Sequence, residues 1–191
     1  MSSVLKFDLY TTVLLQTIIP HNVFFSYFFS FFSIKGISVV IWLLIAAFLI
    51  FFEERKHPGI QKKDKQFLLC FTISLLITAT LTNFVIKNII RRPRPIFPPN
   101  IYHLTPNISS CPADFSFPSG HAASSFAAAC ILSYFDKKRR WFYYLVAILI
   151  SYSRIYLGCH YFLDVVVGAL IGYLVSKVFL QIHSINSIIG K

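Results

Sequence analysis

Long apolar runs separated by short polar blocks organise this 191-residue chain. Crossing the hydrocarbon layer takes about 20 apolar helical residues, and residues 36–52, 67–86, 118–135, 141–157 and 161–182 supply five runs near that length. The first is closed by Glu53, Glu54 and Arg55, and the second runs on to Arg91, Arg92 and Arg94. Residues 9–34 are uncharged over a full span's length but broken near the middle by Pro20-His21-Asn22, a combination that interrupts a helix. That segment reads as a sixth span or as a helix lying in the interface plane. The in-plane reading is preferred, because so few residues separate the segment from the next span. The pattern therefore predicts an all-α, polytopic membrane helix bundle of five core spans plus an N-terminal interfacial or sixth membrane helix. Its organisation is an N-terminal segment 1–33, a transmembrane core 34–182 and a cytoplasmic tail 183–191. The Phe-rich stretch 24–32 reads as lipid-facing surface.

Composition sharpens this picture. Hydrophobic residues make up 56%, charged residues only 13%, and 21 residues are Phe; the mean hydropathy is +0.67. An ordinary soluble domain is far more polar, so the chain is expected to be an integral membrane protein with one domain. The net charge of +11 does not point to nucleic acid, because the basic residues are not spread over one face with interleaved aromatics. They form the blocks Arg55, Lys56, Lys62, Lys63, Lys65 and Lys137, Lys138, Arg139, Arg140, which suit cytoplasmic loops. No signal peptide is evident at the start. With both basic blocks inside, the loops 91–117 and 154–160 fall together on the opposite face. Cys70, Cys111, Cys130 and Cys159 show no CxxC pairing, so neither a zinc site nor a disulfide framework is expected, and three read as apolar fillers. Cys111 and Cys159 both fall on the outer side, where a disulfide could lock two loops together; free thiols remain the other reading.

On that outer side lie three polar clusters: Lys87 with Arg94-Pro95, then Pro118-Ser119-Gly120-His121, then Ser153-Arg154 followed by His160 and Asp164. Ionisable groups in a membrane chain mark function by default. Lys87 stands near a helix end, and the prolines at 93 and 95 hold Arg94 in a rigid turn at its mouth. A point-charge ammonium and a forked guanidinium can then grip one phosphoryl group, whereas headgroup snorkelling accounts for Arg91 and extends to Arg92. Pro118 opens a helix whose unpaired N–H groups and dipole favour a phosphate oxygen. Gly120 permits close approach and Ser119 adds a hydroxyl donor, although such a tetrapeptide alone is usually just a helix start.

The third cluster is the most informative. His160 and Asp164 are spaced i, i+4 and share one helix face. The carboxylate can accept from Nδ1–H, set the tautomer and leave Nε2 free to attack; a structural His–Asp pair is the plainer alternative. Arg154 can return across a turn at Gly158 to the same phosphate, while Ser153 either donates to a phosphate oxygen or orients Arg154. Since His160 has the carboxylate beside it, His160 is the nucleophile and His121 the acid for the departing oxygen.

Taken in order, Lys87 with six intervening residues to Arg94-Pro95, Pro118-Ser119-Gly120-His121, and Ser153-Arg154 with five to His160 and three to Asp164 resemble the three-part signature of the type 2 phosphatidic acid phosphatase superfamily. The resemblance covers residues 34–182 and implies a small bacterial lipid phosphatase in the cytoplasmic membrane with its site on the extracytoplasmic face. It implies a phosphohistidine on His160, with His121 as acid and Asp164 as orienter. Phosphate binding falls to Lys87, Arg94, Ser119, Gly120 and Arg154, with no metal and no cofactor. The implied substrates are polyprenyl diphosphate, phosphatidylglycerophosphate or phosphatidic acid. A non-catalytic lipid-phosphate binding or transport protein would need cations but not two histidines. A phosphotransferase would share every residue and stays open.

Overall fold

The structure, a computed structural model, describes residues 3–33, 36–56, 59, 61–95 and 111–189. Among these, every regular element is helical, as lipid requires of a chain that must satisfy its own backbone groups. The helices are α1 (Ser3–Ile18), α2 (Val23–Ser33), α3 (Ile37–Lys56), α4 (Lys62–Ile90), α5 (Gly120–Phe135), α6 (Arg140–Tyr156) and α7 (Phe162–Ile189). The 29 residues of α4 and the stretch Phe162–Ile182 of α7 are long and apolar enough to cross a membrane, and Val23–Ser33 with Ile37–Phe52 reach that length as a bent pair. The expected runs 118–135 and 141–157 form helices of 16 and 17 residues, about one turn short of a full span. Part of the stretch expected as a tail, 183–189, continues α7. Residues 96–110 of the expected outer loop lie outside the described residues.

The N-terminal region resolves into two helices, with Ile19 to Asn22 between them, where proline cannot continue a helix. The Phe-rich stretch is lipid-facing only in part: Phe24, Phe28 and Phe31 are exposed, but Phe29 is buried with its ring 4.5 Å from Tyr156 and 5.3 Å from Tyr152.

At the centre stands α5, which is built of small residues so that its neighbours can approach closely. Ala122, Ala123, Ala127, Ala128 and Ala129 are all fully buried. Across from them α7 carries Gly168 and Gly172, and a Cβ at these positions would fall 2.5 Å from the Ser119 carbonyl oxygen and 1.9 Å from that of Ala123. This small-xxx-small contact lets backbones touch where lipid supplies no hydrophobic driving force between helices. Trp42 of α3 is buried beside them and donates Nε1–H to Ser125 at 3.2 Å. Outward-facing Leu44, Leu76, Phe84, Leu145, Leu170 and Leu174 are exposed, as a lipid-facing belt should be.

Helix α1 reverses the usual pattern. Asp8, Thr12 and Gln16, at i, i+4 and i+8, are its buried residues, while Leu5, Phe7, Tyr10 and Ile18 are exposed. Its polar stripe packs on the end of α6 and the start of α7: Gln16 donates to the Tyr156 carbonyl at 3.4 Å, and the Thr12 hydroxyl accepts from Phe162 N–H at 2.9 Å.

Candidate active site

Three chain segments converge at one end of the bundle. The first is the end of α4. A π-helical stretch, Leu81–Ile86, sits within that helix immediately before Lys87; such bulges re-aim the residues that follow. Helix α4 stops at Arg91, which takes a left-handed conformation (φ 51°) uncommon for a side-chain-bearing residue. The Arg92-Pro93-Arg94-Pro95 turn is then pinned by Ser116, whose N–H donates to the Arg92 carbonyl at 2.8 Å and whose hydroxyl donates to Pro93 at 3.0 Å.

The second segment is the α6–α7 turn. Gly158 has φ +70°, so glycine suits this corner, and Cys159 and His160 both donate their N–H groups to the Arg154 carbonyl, at 3.0 and 3.2 Å. His160 is 2% exposed and Asp164 fully buried. The imidazole Nδ1 lies 3.5 Å from Asp164 Oδ2, at ion-pair distance but without a hydrogen bond. Catalytic contacts are commonly long in an empty site. On the ring's other side Nε2 stands 3.1 Å from an Arg94 guanidinium nitrogen. Burial first, then the charges of Arg154, Arg94 and Lys87, hold the His160 imidazole well below its ordinary 6.5.

The third segment opens α5. Ser119 is fully buried and caps the helix, its oxygen accepting from Ala122 N–H at 3.4 Å; its own N–H donates to the Asp164 carbonyl at 2.9 Å. The expected hydroxyl contribution of Ser119 is thus shared with a capping task. A Cβ at Gly120 would fall 2.6 Å from Asn83 Oδ1, the end of an exposed side chain that would have to turn aside. His121 follows in the first turn, close enough to feel the charges of Arg154, His160, Lys87 and Arg94. Arg154 is 2% exposed, and its Nε–H has no partner, a cation held ready for an anion. The Ser153 hydroxyl donates to the Ile150 carbonyl at 2.7 Å within α6.

Every site residue read from the three clusters is therefore brought to this end of the molecule, and four carboxylate contacts join it that the sequence reading missed. Asp114 bridges Lys87 and Arg94, accepting a hydrogen bond from each. Burial pushes its carboxyl up, but hydrogen bonds and charge from Lys87 and Arg94 outweigh that and leave it below the ordinary carboxylate range. Arg92, read as a snorkelling side chain, instead donates to Asp164 Oδ1 at 2.7 Å and to Asp8 Oδ2 at 2.6 Å. The signal for Asp8 was the Asp8, Thr12, Gln16 spacing, a polar stripe in an otherwise apolar helix. Cys111 and Cys159 form a disulfide, with Cα atoms 5.4 Å apart, so two of the cysteines, Cys70 and Cys130, are the buried apolar fillers and not three. The bond ties the loop carrying Asp114 to the residue next to His160.

With this geometry in view, the comparisons with known proteins are unambiguous. A family model described as the PAP2 superfamily matches residues 67–188, and the chain belongs to that family. It is 32% identical over 149 residues to an undecaprenyl-diphosphatase of Sulfolobus acidocaldarius, covering 78% of this chain and 66% of that one. It is 35% identical over 162 residues to a lipid A 4'-phosphatase of Bacteroides thetaiotaomicron, covering 80% and 67%. The chain thus spans about two thirds of the length of these relatives. Its fold matches the crystal structure of Aquifex aeolicus LpxE with a TM-score of 0.63 and 28% identity, over 92% of this chain and 95% of that one.

Proposed function

We propose that this integral membrane protein is a metal-independent phosphatase for a lipid phosphate or diphosphate, working through a phosphohistidine on His160. The observation that carries the reading is the setting of one buried imidazole: Nδ1 faces the Asp164 carboxylate at 3.5 Å and Nε2 faces the Arg94 guanidinium at 3.1 Å. A structural histidine has no need of a cation at the atom opposite its carboxylate; a nucleophile attacking an anion does. Neutral His160 uses its Nε2 lone pair to form the N–P bond as the P–O bond to the lipid breaks. Lys87, Arg94 and Arg154, with the N-terminus of α5 at Ser119 and Gly120, take up the charge on the phosphoryl oxygens. His121 protonates the leaving oxygen, then takes a proton from the water that cleaves the N–P bond, releasing inorganic phosphate. Asp164 keeps Nδ1 protonated and steadies the positive ring that forms.

The substrate reading is an amphipathic phosphate whose headgroup lies at the extracytoplasmic face: polyprenyl diphosphate, phosphatidylglycerophosphate or phosphatidic acid. Relatives named undecaprenyl-diphosphatase and lipid A 4'-phosphatase support it, as does a phosphatidylglycerophosphatase B of Bacillus subtilis, 32% identical over 115 residues, covering 53% of this chain and 52% of that one. The test is phosphate release from a panel of these lipids by detergent-purified protein with EDTA present throughout. Release from at least one, with an acid-labile phosphoenzyme trapped on His160, supports the reading. Binding without release, or a strict requirement for added magnesium, overturns it.

A further inference from the structure

Asp164 is held by more than His160. Its Oδ2 accepts Tyr161 N–H at 2.9 Å and its Oδ1 accepts from Arg92 at 2.7 Å. The other arm of the Arg92 fork donates to Asp8 Oδ2 at 2.6 Å, and Asp8 Oδ1 accepts Leu163 N–H at 2.8 Å. Both carboxylates are completely buried, the Arg92 side chain is 17% exposed, and the guanidinium carbon stands 3.8 Å from the centre of the Tyr161 ring. The result is a largely buried carboxylate–guanidinium–carboxylate line whose two ends both meet the start of α7. Asp164 is on that helix, and Asp8 caps it from α1 together with Thr12, which accepts Phe162 N–H at 2.9 Å.

We propose that Asp8 and Arg92 are positioning residues for catalysis: through the Asp8–Arg92–Asp164 line, helix α1 sets where the Asp164 carboxylate stands relative to His160. This rests on His160 being the nucleophile. A guanidinium grips one oxygen of Asp164, so the other, which accepts Tyr161 N–H, is the one that faces Nδ1 at 3.5 Å. Were Arg92 not drawn toward Asp8 by its second arm, it could chelate both oxygens of Asp164 and take the one that His160 needs, since the fork matches a carboxylate bidentately. Were Arg92 absent, a buried Asp164 would lose its compensating charge and move or take up a proton. Either change alters the step in which the ring becomes positive and leaves the phosphate-binding cations Lys87, Arg94 and Arg154 in place. A bundle that needed α1 only as cover would require no charged residue on its inner face, and there Asp8 stands fully buried.

The experiment uses the full chain in detergent with a short-chain lipid phosphate, and compares Asp8→Asn, Arg92→Lys, Arg92→Gln and the double variant Asp8→Asn/Arg92→Gln with wild type. The expected result is a fall in kcat of about tenfold or more for each single variant, with KM within about twofold and slower formation of the acid-labile phosphoenzyme. The double variant should be no slower than Arg92→Gln alone, because Asp8 acts through Arg92 and residues of one network do not add. A lowered melting temperature with unchanged kcat in Asp8→Asn would overturn the proposal and leave Asp8 as a helix cap; so would a rise in KM alone. If Asp8→Asn does not fold, Arg92→Lys decides the matter, since it keeps the charge and the α1 cap on Leu163 but removes the fork. His160→Ala separates the two readings. Loss of turnover there, with wild-type kcat in the Arg92 variants, defeats this inference alone, whereas survival of turnover in His160→Ala defeats the phosphohistidine reading beneath it.

Discussion

The two ends of the bundle use the same residue types in opposite ways. At one end Lys63, Lys137, Lys138 and Arg139 line a cavity of about 650 Å³ with Asp64 and Asp136, and all four basic residues are exposed. At the other, Lys87, Arg92, Arg94 and Arg154 are buried or half-buried, and contacts with Asp114, Asp164, Asp8 or the neighbouring backbone hold them. Exposed charges interact through water and are screened by salt, as in the Arg139–Asp136 pair at 3.3 Å. Buried cations must be compensated, and compensation fixes their position to within a hydrogen bond. A count of charge cannot separate the two roles; burial does.

The sharpest test of that contrast is to remove one group from each end. His160→Ala should lower turnover about a thousandfold or more and abolish the phosphoenzyme, with His121→Ala slower than wild type yet still labelled, because triad-like groups act as a unit. Lys138→Ala should leave phosphate release within about twofold of wild type. Retention of the label by His160→Ala together with its loss from His121→Ala would reverse the assigned roles.

A subtler change keeps the charge and alters its shape. Arg154→Lys should lower kcat/KM by about a hundredfold, since a planar fork and a point charge are not interchangeable at an oxyanion, while Lys138→Arg should be silent in the same assay. Equal effects at both ends would erase the distinction between them.

Removing the disulfide with Cys111→Ser should cost about 2–4 kcal/mol of stability, read as a lower melting temperature that reductant reproduces in wild type. The closed loop spans 48 residues, and it joins the Asp114 loop to the α6–α7 turn. Mass spectrometry of non-reduced peptides should find the linked pair; alkylation of both thiols without reductant would refute it.

The pH profile follows from the His160 environment. A base held below its ordinary value stays neutral over the whole range above it, so the limb of kcat/KM that reports protonation of His160 in the free enzyme should lie below pH 6.5, on the acid side of any limb that reports loss of the proton His121 must donate. An acid limb centred at or above 6.5 would show that burial and the three cations do not act on the ring as described. The smallest effect is expected at Asp114, whose carboxylate occupies the same two cations that the substrate needs. Asp114→Asn should tighten inhibition by vanadate or inorganic phosphate a few-fold, and weaker inhibition would instead make Asp114 part of the phosphate site. Its clamp on Lys87 and Arg94 is fully present above the ordinary carboxylate range. It is lost only as pH falls through the lower folded value, so the gain from Asp114→Asn should be constant across neutral pH.

Most of the helical layout and all three polar clusters were legible in the chain, because a bilayer imposes a period and a length on whatever crosses it and makes each buried charge conspicuous. The π-helical turn before Lys87 was not legible, nor was the need for Gly168 and Gly172, since both depend on a partner surface contributed by residues far away in the chain. Ser153 shows the same limit from the other side: its hydroxyl had two plausible functional targets, and the backbone carbonyl of Ile150 one turn back was nearer.

Residue order alone determined that His160 and Asp164 stand four residues apart near a helix start and that Lys87 and Arg94 flank a helix end; the shared helix face was not borne out, because the helix begins at Phe162 and His160 sits in the turn before it. These are short-range consequences of helix geometry, proline and hydropathy, and they act within about ten residues. Only the tertiary structure decided that Arg92 turns inward, that Asp8 from the opposite end of the chain meets it, and that Cys111 finds Cys159. Such contacts join residues 48 to 84 positions apart, and which of several cations an acid pairs with is settled by packing, where the cost of leaving a buried charge alone selects one arrangement.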